Sequence, residues 1–113
     1  MLGHKRTLDR QGAYLAAGLA GFALGVAPDN ILESGRGTTD VARARQVAMY
    51  LAHVGFGMSL TRVADAFGRD RSTVAHACHT VEDRRDDERF DAWIETLEQG
   101  LVAVAPLQEC LVA

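Results

Sequence analysis

The chain is poor in the residues that staple, kink or stack. Two cysteines, two prolines, one tryptophan, two tyrosines and four phenylalanines are spread over 113 residues. Two thiols, Cys78 and Cys110, form no CxxC pair and no short-chain disulfide framework. Few aromatics and plentiful alanine disfavour sheets and favour helices. No hydrophobic run reaches the roughly 20 strongly apolar residues of a membrane span. The uncharged stretch from Gln11 to Pro28 comes nearest, after Lys5, Arg6 and Arg10. Asp9 interrupts its basic flank and Gly12, Gly18, Gly21 and Gly25 dilute it, so neither leader nor anchor is expected. A GxxxxGK[ST] phosphate loop is also missing, so no nucleotide is expected as a ligand.

What is present suits one modest core. A hydrophobic fraction of 48% excludes a disordered chain, and 113 residues suit a single domain, 1–113. The net charge of −3 argues at first against nucleic acid. Its distribution reverses that. Residues 1–85 carry 11 basic and 8 acidic groups, whereas 86–113 carry one and seven. The acid is therefore segregated in the last quarter.

Taken in order, Leu15, Leu19, Phe22 and Val26 predict a helix packed on that face and ended by Pro28, followed by a short turn built on Ile31 and Leu32. SGRGTTD reads as a loop carrying Arg36. Thr39 or Asp40 is expected to cap a helix from about Val41 to His53, with Val41, Ala44, Val47, Ala48 and Leu51 inside and Arg43, Arg45 and Gln46 projecting away. Gly55 and Gly57 break it. The charge run EDRRDDER reads as a solvated helix end and loop, and Phe90, Trp93, Ile94, Leu97 and Leu101 mark a last helix before an apolar tail.

Ser59–Arg85 holds the most information. Leu60, Val63, Ala64 and Phe67 give one apolar helical face, capped by Ser59 and stopped by Gly68, which takes the left-handed conformation without a Cβ penalty. Val74, Ala77, Cys78 and Val81 repeat the pattern in a second helix. The pair forms a helix-turn-helix, whose second helix fits the DNA major groove. The turn brings Arg69, Asp70, Arg71, Ser72 and Thr73 to its start, residue types that reach phosphates and base edges.

VARARQVAMYLA, SLTRVADAFG and RDRSTVAHACHTVE together resemble the C-terminal DNA-binding domain of the bacterial replication initiator DnaA. The resemblance spans residues 41–82, with a looser likeness upstream. It implies an all-α, TrpR-like helix-turn-helix domain with a core at about 40–85, an N-terminal helical extension at about 8–34, and a C-terminal helix and tail at about 89–113. It also implies base readout in duplex DNA by Asp70, Arg71, Ser72 and Thr73, phosphate contacts by Arg45, Gln46 and Arg69, and a minor-groove contact by Arg36. Three departures stand out. The family's double glycine is the single Gly68, its histidine is Arg71, and its capping-box glutamate is Arg62. A guanidinium prefers a guanine edge, so the base met by Arg71 is expected to differ from the family's.

His53, His76, Cys78 and His79 lack metal-ligand spacing, and Asp86, Asp87, Glu88 and Asp91 have nothing apolar to perturb them. No cofactor, metal or catalysis is expected. The expectation is a cytoplasmic, nucleoid-associated regulator of transcription or replication initiation that binds duplex DNA sequence-specifically, with the DNA-binding domain working alone. It would associate with itself or a partner protein through Leu15, Leu19 and Phe22 and through the tail residues Leu101, Leu107 and Leu111. The rival reading is a protein-binding adaptor that keeps the fold without base readout.

Overall fold

The computed structural model describes the backbone of residues 2–112 and the side-chain surroundings of residues 8–104. Among them are six α-helices and no strand: α1 (Leu2–Leu24), α2 (Pro28–Leu32), α3 (Thr39–Tyr50), α4 (Leu60–Phe67), α5 (Arg71–Arg84) and α6 (Glu88–Val112). A π-helical turn, Leu51–Gly55, extends α3.

The core gathers around α3, whose Ala44, Val47, Ala48, Met49 and Tyr50 are buried and continue into Leu51 and Ala52. Its N-cap is Thr38, one residue before the expected pair. The Thr38 Oγ1 accepts from the Val41 N–H at 3.3 Å. α1 lies against α3 through Ala13, Ala16, Ala17 and Ala20, all at most 1% exposed. The expected apolar face is corrected at Phe22, which is 92% exposed, whereas Leu15, Leu19 and Val26 are half-buried and pack against the core. Alanines win the interface because their short side chains let two helix backbones approach closely. Gly21 belongs to the same face. A Cβ there would collide with the Val26 carbonyl, whose own N–H donates back to the Gly21 oxygen at 2.8 Å and closes the helix. Gly25, at φ +72°, makes the turn.

Arg62 explains one departure from the family pattern. Its guanidinium forks onto both carboxylate oxygens of Asp9 and ties α4 to α1. The charge run is likewise more than a solvated loop. Arg85 donates to Asp91, to the Tyr50 hydroxyl at 2.9 Å and to Glu98 at 3.1 Å, while Tyr50 donates to Glu82 at 2.6 Å. One guanidinium thus joins α3, the end of α5 and α6. Asp87 caps α6, accepting from the Arg89 and Phe90 N–H groups at 2.9 and 3.0 Å.

The expected apolar tail surface is corrected in part. Leu101 is fully buried against Gly55, where a Cβ would meet its methyl. Leu107 and Leu111 lie outside the residues whose side chains are described. No helix among the described residues is long and apolar enough to cross a membrane.

Candidate nucleic-acid interface

α4 ends as its sequence dictates. Gly68 takes φ +64°, and the Arg69 N–H returns to the Ala64 carbonyl at 2.9 Å. The chain turns through Arg69 and Asp70 into α5, which is seated by Val74, Ala77, Cys78 and Val81. Ser59 caps α4 at the other end, its Oγ accepting from the Arg62 N–H at 3.2 Å. The pair is therefore fastened at both ends of α4 and along one face of α5.

That seating leaves the start of α5 outside. Asp70, Arg71, Ser72 and Thr73 are all exposed. Asp70 occupies the N-cap position, yet its side chain makes no capping hydrogen bond. Its carboxylate stays available at a helix N-terminus, beside three donor-bearing side chains.

The loop before α3 faces this turn. A groove of about 510 Å³ runs between them, bounded by Gly35, Arg36, Gln46, Arg69, Thr73 and His76. The fold thus brings the loop arginine, Gln46, Arg69 and Thr73 of α5 onto one groove. His76 was not foreseen there. It lies three residues after Thr73, and i, i+3 neighbours share a helix face, so that spacing held the signal.

Arg45 requires a correction. It does not project: it is 5% exposed, the lone charged residue buried among the described ones. Its Nε donates to the Ile31 carbonyl at 2.7 Å, Nη1 to Arg36 at 2.9 Å and Nη2 to Asn30 at 3.2 Å. Burial, and then the charge of Arg69, lower its pKa below an ordinary arginine's, with Glu33 opposing. An arginine so placed holds the loop and the end of α2 from beneath. Arg69 is also engaged. Its Nη2 donates to the Glu33 and Gly35 carbonyls, both at 2.8 Å.

The family described as "Bacterial dnaA protein helix-turn-helix" matches residues 23–81, from the end of α1 to near the end of α5. The chain belongs to this family. Among curated relatives, it is similar to the chromosomal replication initiator protein DnaA of Laribacter hongkongensis, 47% identical over 58 residues, which are 50% of this chain and 12% of that one. It is also similar to DnaA of Azoarcus sp., 42% identical over 72 residues, 62% of this chain and 15% of that one. A crystal structure of a DNA replication initiation factor superposes with a TM-score of 0.76 at 29% identity, covering 88% of this chain and 31% of the other. The chain therefore aligns with only a small part of the length of its DnaA relatives. The family match reaches upstream of α3, so the looser likeness there includes α2 and the Arg36 loop.

Proposed function

We propose that this DnaA-family chain binds double-stranded DNA sequence-specifically, with the first turn of α5 in the major groove. The observation that carries this is the exposed, uncapped turn Asp70–Thr73, held on a buried helix face, with Thr73 lining a groove that Arg36 and Gln46 also line. Asp70, Arg71, Ser72 and Thr73 read base edges, Arg71 favouring guanine. Gln46 and the outer side of Arg69 meet phosphate, and Arg36 points the loop towards the minor groove. Arg45 supports them from inside. By occupying sites on DNA, the chain regulates replication initiation or transcription. In vitro selection from random duplexes tests the reading. Recovery of one motif, with its guanine contact relaxed by Arg71→Ala, is the expected result. Selection that enriches nothing removes it.

Phe22 favours a second reading. With Tyr14 53% exposed on the same helix, the outer side of α1 carries large apolar side chains outside the core. A protein-binding adaptor, or a chain that associates with itself on DNA, would use this side. Light scattering at high concentration, alone and on a selected duplex, separates these from a chain that acts as a monomer.

A further inference from the structure

We propose that Arg69 is a positioning residue, a clamp that joins the turn of the helix-turn-helix to the 33–37 loop and fixes Arg36 relative to the first turn of α5. The inference rests on the DNA-binding reading and deepens it: the main duty of Arg69 passes from gripping phosphate to holding the two DNA-facing segments in register.

The geometry is specific. Nη2 of Arg69 has two hydrogens and faces two carbonyls, Glu33 and Gly35, each at 2.8 Å. That nitrogen is fully used by a loop more than thirty residues away in sequence. Nη1 turns back to the Gly68 carbonyl at 3.4 Å, keeping the guanidinium over its own turn. Arg45 takes the carbonyls of Asn30, Ile31 and Arg36. The two arginines together hold five carbonyls of residues 30–36.

The loop needs that hold. Every residue from 33 to 40 is exposed, and Gly35 and Gly37 take φ of +88° and +75°. Neither packing nor side-chain bulk restrains such a segment. A planar guanidinium presents its hydrogens in a fixed fork, which suits two carbonyls at once, whereas an ammonium is a point charge on a flexible stem. Neither Arg45 nor Arg69 forms an ion pair with a carboxylate among the described residues, so the positive charge of the groove remains open to an approaching phosphate.

Arg69→Ala and Arg69→Lys test the clamp, each alone and combined with Arg36→Ala. They are titrated on a duplex selected with the wild-type chain and on a scrambled duplex, across a salt series. The clamp predicts that Arg36→Ala weakens selective binding about tenfold in the wild-type background and less than about threefold in either Arg69 variant, because the loop no longer presents Arg36. It also predicts that lysine does not rescue. A phosphate grip predicts the reverse: near wild-type binding by Arg69→Lys, additive losses, and a salt slope flattened by about one in Arg69→Ala. That pattern overturns the proposal. A second measurement needs no DNA. Backbone amide order parameters at residues 34–37 should fall from about 0.85 to below about 0.6 in both variants, with Val63 and Val74 unchanged as a control for folding. Unchanged loop order sinks the clamp even if selective binding stands. A loosened loop in a chain for which selection recovers no motif upholds the clamp and sinks the DNA reading instead.

Discussion

Thr73 shows how one side chain is kept free for work. The hydroxyls of Thr80 and Thr96 bond back to the carbonyls of His76 and Ala92 at 3.0 and 2.9 Å, as helix-interior threonines commonly do. Among the described residues the Thr73 hydroxyl makes no such bond, and Thr73 is exposed and lines the groove. Thr73→Ala should therefore cost about 1–3 kcal/mol on a selected duplex, roughly 5- to 150-fold, and under about twofold on a scrambled one. Fluorescence polarisation on both duplexes checks this; equal losses would remove base readout by Thr73. Gly21 makes the opposite case, a residue needed for what it lacks. Gly21→Ala forces a Cβ onto the Val26 carbonyl and should cost roughly 1–3 kcal/mol of stability, read by urea denaturation. Arg45 was the residue least legible in the sequence. An arginine in a helix is outside by default, and nothing in its neighbours reveals that two carbonyls of α2 and one of the loop after it wait for a donor.

At the scale of elements, the helix-turn-helix was readable because two local signals agreed. Apolar residues at helical spacing fell on either side of a glycine, and Gly68 adopts the conformation that only glycine takes freely. On α1 the apolar pattern failed at Phe22, because a large apolar side chain need not be deep. Phe22 is exposed while Ala13, Ala16, Ala17 and Ala20 are buried, a choice set by how near α3 lies. The joint of α3, α5 and α6 was misread as well, since charge runs are usually solvated and only the fold brings Tyr50, Glu82 and Glu98 to Arg85. That joint has a pH signature. Burial first, and then the hydrogen bond to Glu82, push the Tyr50 phenol up to about 12. Its folded pKa lies above the ordinary 10, so the stability it contributes is complete below about pH 10 and is lost as pH rises towards 12. Burial pushes the Cys78 thiol up to about 11, with the same sign from about pH 9. Denaturation at pH 8 and near 11.5 should show a loss on the order of 4 kcal/mol in the wild type, about half of it from each group. The loss should be smaller in Tyr50→Phe, which keeps only the Cys78 part. An equal loss in both would mean that the phenol is not the group titrating.

For the whole molecule, α5 sets the polarity. Its first turn carries the candidate readers, and its last turn, about 20 Å away at 1.5 Å per residue, opens onto the acidic start of α6. Asp86, Glu88 and Glu95 are exposed there, and no salt bridge engages them among the described residues. At low salt this end repels a duplex that approaches it and turns the chain so that the Arg36 and Arg71 side leads. The triple change Asp86→Asn, Glu88→Gln, Glu95→Gln should therefore raise the association rate several-fold at low ionic strength. The gain should fade once the Debye length drops to about 3 Å near 1 M salt. Selection with the triple variant should recover the same motif as the wild type, because none of the three carboxylates lies near the groove of α5. Stopped-flow association across salt, paired with that selection, makes the argument decisive. A motif that changes with the charge of α6 would place the acidic end inside the interface and turn the molecule round on its DNA.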